Sequence, residues 1–143
     1  MLTDETIKVI YSIINGTFET LYMTLVAAFF AYLLAFPLGI ALVITKKDGL
    51  YPMGVLNRIL DVIVNIGRSI PFLILLIAVM PITTFIVGKS YGSTATIVPL
   101  VIAATPFIAR LIESSLQEVD KGVIEAAQSM GASIYTIVIK VLI

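Results

Sequence analysis

The chain holds few residues that could do chemistry, and the residue types it lacks are informative. Neither histidine nor cysteine occurs among its 143 residues. This removes the commonest general base and metal ligand, and also the thiolate nucleophile. The nine Lys or Arg balance the nine Asp or Glu, so the net charge is zero and provides no basic field for nucleic acid. We therefore expect no catalytic residue, no metal site, no cofactor and no nucleic-acid partner.

One short segment could bind a partner protein: Glu125-Ala126-Ala127, followed by Gly131. Asp120 is suited to cap the start of a helix and Gly131 to end it, which predicts a helix of about ten residues between them. Alanines let another surface approach closely, and Glu125 can pair with a cation. An ordinary surface loop is the competing interpretation of this pattern.

A second short helix is predicted directly after this segment. Ser133 can cap it, and its apolar residues recur at helical spacing. It is too short to be a membrane span.

A polar stripe at helical spacing is the other candidate site, formed by Asn57, Asp61, Asn65 and Arg68. Two interpretations remain open. The stripe belongs to an amphipathic helix on a membrane surface, or it lines or gates a wet path together with Pro71. Arginine at the bilayer centre costs at least ~2.5–3.5 kcal/mol on insertion scales, so Arg68 is expected near an interface or in a water-filled cavity.

The tripeptide Gly88-Lys89-Ser90 is similar to the end of a phosphate-binding loop. That motif needs a glycine five positions before Gly88, where Thr83 stands instead. We expect no nucleotide site there.

Membrane helices must position these residues. The chain is 59% hydrophobic and 13% charged, with a mean hydropathy of +1.10, whereas soluble domains carry about 25% charged residues. Three charge-free runs are long enough to cross the roughly 30 Å of bilayer hydrocarbon: residues 20–45, 69–88 and 90–109. The sequence thus predicts an all-α, polytopic transmembrane bundle with three spans.

The remaining segments flank these spans. Residues 1–19 form an amphipathic lead-in, residues 46–68 a connection that carries the polar stripe, and residues 110–143 a segment after the third span. Lys and Arg concentrate in 46–68 and 110–143, whereas the connection between the second and third spans holds only Lys89. The positive-inside rule then places the N-terminus outside and residues 110–143 in the cytoplasm.

Small residues and prolines mark the spans themselves. A ladder of four small residues repeats every fourth position of the first span and predicts a helix–helix seam: Ala27, Ala31, Ala35 and Gly39. The alternative is that alanine is simply common in membrane helices. Prolines are expected to kink the first span and to interrupt the other two, at Pro37, Pro71, Pro81, Pro99 and Pro106.

The segment Glu125-Ala126-Ala127, three residues and Gly131 resembles the EAA motif of ABC importer permeases. Val141 and Ile143 stand where that motif continues with Ile and Leu, and its following Pro would fall just past the last residue. Further segments, in the same order, are similar to the methionine-uptake permeases: the start of the first span at Glu19, then Asn65–Leu76, Pro106–Leu116 and Lys121–Ser133.

The resemblance implies a fold like that of type I ABC importer permeases, in the bacterial inner membrane. It implies a homodimer with two copies of a separate ATPase subunit, so that ATP hydrolysis lies outside this chain, and an extracytoplasmic substrate-binding protein. It makes Glu125, Ala126, Ala127 and Gly131 part of a coupling helix that docks on the ATPase. Members of this subfamily have five spans, so the resemblance also implies that the chain is the N-terminal part of a longer protein.

Three functions compete at this point. The leading hypothesis is a permease subunit for an amino acid, methionine above all. The alternatives are a permease for another small polar solute and a non-transporting membrane scaffold that binds a cytoplasmic partner. A membrane enzyme fits worst, because no cluster of reactive groups stands out.

Overall fold

The computed structural model of the chain describes residues 3–143, and all of the regular structure in that range is helical. The prediction of an all-α fold is therefore confirmed. The helices are α1 (Asp4–Ile44), α2 (Gly54–Ser69), α3 (Phe72–Val87), α4 (Ser93–Gln117), α5 (Lys121–Ser129) and α6 (Ile134–Ile137), and a π-helical turn (Val138–Leu142) follows α6.

The two longest helices, α1 and α4, are each long and apolar enough to cross a membrane. At 1.5 Å per residue the 41 residues of α1 extend about 60 Å, twice the thickness of the hydrocarbon core. Because α1 is continuous, residues 4–19 of the predicted lead-in and residues 20–44 of the first charge-free run belong to one helix, and residues 1 and 2 of the lead-in lie outside the described residues. α2 and α3 together count as a third span only if this bent pair is taken as one element.

The bend between α2 and α3 measures 111° and lies at Ile70 and Pro71. Proline disfavours helical backbone in the residue before it, and Ile70 is extended, with φ −78° and ψ 124°. Pro71 is the N-cap of α3, where its missing N–H costs nothing because backbone N–H groups at the start of a helix have no intrahelical acceptor. Local sterics thus turn the chain sharply at the end of the polar stripe.

The other four prolines of the predicted spans lie inside helices that continue through them. This differs from the predicted interruption at Pro81, Pro99 and Pro106, whereas at Pro37 the sequence predicts only a kink. Each removes one backbone donor, and membrane helices tolerate this where neighbours or side chains satisfy the freed groups. Pro99 is buried, and the hydroxyl of Thr105, just before Pro106, donates to the carbonyl of Val101 at 2.7 Å. Proline therefore ends a helix at Pro71 but not at these four positions.

The core lies where α1, α2 and α4 meet. Ala35 and Leu42 of α1, Val64 of α2 and Ala109 of α4 form one buried cluster. All four residues of the small ladder on α1 are buried. A Cβ at Gly39 would lie 2.7 Å from the side chain of Ile112 and 2.9 Å from the carbonyl oxygen of Ala109, so α1 and α4 approach closely there. Many large apolar side chains elsewhere are exposed, as expected where lipid or another chain surrounds the protein.

Candidate functional site

Helix α5 carries the Glu-Ala-Ala segment and is defined at both ends by its own sequence. The Asp120 carboxylate accepts a hydrogen bond from the Gly122 N–H at 2.6 Å and caps the helix. At the other end Gly131 has a φ of +79°, and its N–H donates to the carbonyl of Gln128. The next N–H, of Ala132, donates to the carbonyl of Ala127, which completes a Schellman motif. The predicted start and end of this helix are confirmed.

The second short helix also begins as predicted. The Ser133 hydroxyl accepts a hydrogen bond from the Thr136 N–H at 3.2 Å. Only four residues of α-helix follow before the π-helical turn, so this helix is shorter than the apolar pattern indicates.

The four predicted coupling residues do not share one environment. Glu125, Ala126 and Gly131 are exposed, whereas Ala127 is buried at 7%. Ala127 therefore faces the rest of the chain, and Glu125 and Ala126 are left open to the surroundings. α5 can therefore present small side chains to another protein while the buried Ala127 keeps the helix packed against the rest of the chain.

An ion pair holds the start of α5 to the α1–α2 connection (residues 45–53). Lys121 Nζ lies 2.6 Å from Asp48 Oδ2, and both side chains are exposed. The hydrogen bond from Lys121 lowers the pKa of Asp48, and the same contact raises the pKa of Lys121. A cavity of about 360 Å³ lies between the connection, the end of α4 and α5, and Glu125 and Gln128 line it.

The polar stripe of α2 divides into two parts. Asn57 Nδ2 donates to the carbonyl of Leu42 at 2.8 Å and to the hydroxyl of Thr45 at 3.0 Å, which ties α2 to the end of α1. Asp61 and Asn65 both contact Arg110 of α4.

The other part of the stripe stays exposed. Arg68 and Pro71 lie beside the bend, and no hydrogen bond or ion pair of Arg68 is present within residues 3–143. The structure therefore brings Asn57, Asp61 and Asn65 into hydrogen bonds with neighbouring segments of the bundle and leaves Arg68 apart from them.

The most deeply buried charged group within residues 3–143 is Glu113, which the sequence analysis did not single out. It is 2% exposed. Its carboxylate accepts from Arg110 Nη1 at 2.5 Å and Gln117 Nε2 at 2.9 Å, and Lys46 Nζ lies 2.9 Å away. We refer to these groups and the α2 residues they reach as the charged junction: Lys46, Asp61, Asn65, Arg110, Glu113 and Gln117.

A signal for part of this junction does exist in the sequence. Arg110, Glu113 and Gln117 are spaced three and four residues apart, so they share a helix face and can pair. The partners in the α1–α2 connection and on α2 have no such local signal, because the packing of the helices brings them together.

Comparison with known proteins places the chain in a family. Residues 35–143 match the model of the binding-protein-dependent transport system inner membrane component.

The chain belongs to this family.

Two individual relatives show which members of this family the chain is similar to. The chain is 53% identical over 131 residues to the probable D-methionine transport system permease protein MetI of Vibrio cholerae serotype O1. It is 46% identical to the D-methionine transport system permease protein MetI of Escherichia coli K12. Each match covers 92% of the chain, but only 58% and 60% of the respective relative. The chain thus spans about 60% of the length of the curated relatives it matches.

The chain is also similar to solved structures of ABC transporters. The chain is similar to the inward-facing MetNI methionine ABC transporter in its native crystal form, with a TM-score of 0.92 and 44% identity over 94% of this chain and 62% of that one. It is also similar to an amino acid ABC transporter crystallised with histidines, with a TM-score of 0.69, 25% identity, and coverage of 100% of this chain and 64% of that one. The resemblance to ABC importer permeases and the predicted fold class are therefore confirmed.

Proposed function

We propose that the chain forms part of the permease of an ABC importer that carries methionine across the bacterial inner membrane. The observation that carries this proposal is α5, a helix capped at both ends whose Glu125 and Ala126 face outward while Ala127 holds it to the chain. The names of the similar permeases and of the MetNI transporter support methionine as the cargo.

In this proposal α5 is the coupling helix, and it docks in a cleft of a separate ATPase subunit. Small side chains let the cleft close around the helix, and Glu125 supplies a charge for a cation of the ATPase. Closure of two ATPase copies around ATP displaces α5 in each of two permease copies. The permease itself needs no catalytic residue, because hydrolysis belongs to the ATPase.

The path for the cargo is proposed to run beside the polar end of α2 and the bend. Arg68 and Pro71 are exposed there, and Arg68 has no hydrogen bond within residues 3–143, while Asn57, Asp61 and Asn65 bond to neighbouring segments and hold the helix in place. We place α5 in the cytoplasm and the N-terminus outside, because Lys and Arg concentrate in the α1–α2 connection and after α4. A substrate-binding protein would then deliver methionine from the outside, and lipid would cover the exposed apolar surfaces.

The test uses the complete gene product that carries these residues, assembled in proteoliposomes with its ATPase and with its substrate-binding protein on the side from which methionine is taken up. We expect ATP-dependent uptake of radiolabelled methionine, and competition by unlabelled methionine but not by unrelated small polar solutes. Uptake of another solute alone would favour the alternative cargo. ATPase binding without uptake of any solute would favour the scaffold.

The role of α5 is tested by charge reversal at Glu125. Glu125→Lys is expected to lower transport-coupled ATP hydrolysis at least tenfold, which corresponds to about 1.4 kcal/mol, while membrane insertion is unchanged. Glu118→Lys is the matched control, since Glu118 is also exposed but lies outside α5. Gly131→Pro should act in the same direction as Glu125→Lys, because proline cannot adopt a φ of +79°. Full coupled activity in both α5 variants would contradict the coupling role.

A further inference from the structure

The charged junction connects three parts of the chain through one buried carboxylate. Glu113 receives Lys46 from the α1–α2 connection and Arg110 and Gln117 from α4. The same Arg110 continues to α2, where Nη2 donates to Asp61 Oδ1 at 2.6 Å and to Asn65 Oδ1 at 2.8 Å. A carboxylate this buried is retained only when it is paired and hydrogen-bonded, and Glu113 satisfies both conditions.

The position of the junction matters because α5 follows it closely. α4 ends at Gln117, itself a donor to Glu113, and only residues 118–120 separate it from α5. The α1–α2 connection meets both sides of this link, since Lys46 contacts Glu113 and Asp48 contacts Lys121 at the start of α5. A displacement of α5 would therefore reach the α1–α2 connection directly through the exposed Asp48–Lys121 ion pair. It would reach α4 and α2 through the contacts of the buried Glu113 carboxylate.

We propose that Glu113 is a positioning residue of the transport cycle, which makes the end of α4, the α1–α2 connection and the polar stripe of α2 move as one body when α5 is displaced. The proposal rests on the proposed function, because it concerns how motion of the coupling helix reaches the path. Glu113 contacts neither cargo nor ATPase in this scheme. It acts through Arg110 and Lys46.

The experiment compares variants of the complete gene product in proteoliposomes that also contain its ATPase and its substrate-binding protein. Three quantities are measured for each variant: ATPase association, basal ATP hydrolysis, and methionine transported per ATP hydrolysed. Glu113→Gln keeps the size of the side chain and removes its charge. Glu118→Gln makes the same change at an exposed carboxylate five residues further on, with no side-chain hydrogen bond within residues 3–143.

We expect Glu113→Gln to keep ATPase association and basal hydrolysis within about twofold, and to lower methionine transported per ATP at least about fivefold, the lower end of site-to-site coupling. Glu118→Gln should leave all three quantities within about twofold. The double variant Lys46→Met, Glu113→Gln should be no worse than Glu113→Gln alone, because both changes remove the same contact.

Two results would overturn the inference. One is an unchanged methionine-to-ATP ratio in Glu113→Gln, and the other is a loss of association that matches the loss of transport, which is the signature of a purely structural residue. If Glu113→Gln does not assemble, Glu113→Asp decides: a lowered ratio at normal assembly supports the proposal, and a normal ratio overturns it. Absence of uptake by the unaltered protein would instead defeat the proposed function itself.

Discussion

Glu113 and Glu125 are two acids on neighbouring helices, and the structure gives them opposite surroundings. Glu113 is 2% exposed and accepts from side chains of two different segments. Glu125 is exposed, and its side chain makes no hydrogen bond within residues 3–143. A buried charge is stable only with its partners, whereas an exposed one keeps its hydration until a partner arrives.

The comparison distinguishes two regions. The fixed region is the charged junction together with the α1–α4 contact at Gly39, and the available region is helix α5 (Lys121–Ser129). The charged junction and the close contact of α1 with α4 hold the bundle end in one arrangement. α5 is held by its own caps, by one buried alanine and by an exposed ion pair. Having few contacts with the rest of the chain suits a helix that must bind another protein, because few of those contacts need to break or rearrange when the partner binds.

The fixed region should respond most strongly to added volume at Gly39. Gly39→Leu forces atoms against Ile112 and the carbonyl of Ala109, where even a Cβ lies within 2.9 Å. We expect a loss of about 2–3 kcal/mol, the upper range for overpacking, seen as a lower apparent Tm of the purified protein in detergent.

Gly16→Leu on the same helix is the control for that change. A Cβ at Gly16 meets nothing within 4 Å, so the substitution should stabilise α1 by up to about 1 kcal/mol through helix propensity alone. Equal losses at Gly16 and Gly39 would mean that the α1–α4 contact is not as close as described.

The available region should respond to the loss of its N-cap. Asp120→Ala removes the acceptor of the Gly122 N–H and should destabilise α5 by about 1 kcal/mol. Hydrogen exchange of residues 121–129 measures this directly, and exchange in α1 and α4 should stay unchanged. Glu118→Ala changes a nearby exposed carboxylate without a capping role, so faster exchange in that variant would argue against the cap as the cause.

The sequence predicted local features well, because they depend on neighbouring residues. Asp120, Gly131 and Ser133 each act through backbone groups within five positions, and their capping roles are confirmed. The all-α class follows from composition and charge-free runs in the same way. The bend at Pro71 is equally local, since it depends on the effect of proline on the preceding residue.

The charged junction could not be predicted in the same way. Asp61 and Arg110 are 49 residues apart in sequence, and their contact exists only because α2 packs on α4. Periodicity placed Asp61 on a polar face, but it could not distinguish a face turned to water from one turned to a charged partner on another helix. For the same reason the predicted roles of Asn57, Asn65 and Arg68 in a path stay predictions.

The smallest effect is expected at the ion pair between Asp48 and Lys121, which joins the two regions. The pKa of Asp48 is lowered from 3.8, so the contribution of the pair is present above that pH and is lost as the pH falls through the lowered value. The pKa of Lys121 is raised from 10.5, so the contribution persists below that pH and is lost only as the pH rises through the raised value. Hydrogen exchange at the start of α5, corrected for the intrinsic pH dependence of exchange, should therefore show constant protection across the neutral range. High salt should weaken protection slightly, since both groups are exposed and salt screens such pairs.

The charge swap at this pair decides whether it contributes at all. Asp48→Lys alone places two cations together and should speed exchange at the start of α5, and the added change Lys121→Asp should restore most of the protection. If the double variant exchanges as fast as the single one, the two side chains do not interact in solution. In that case α5 is attached to the rest of the chain only through α4 and Ala127, and the α1–α2 connection contributes nothing to its attachment. The contrast between the fixed and the available region would then be sharper than the structure indicates, because the exposed link between them would contribute nothing.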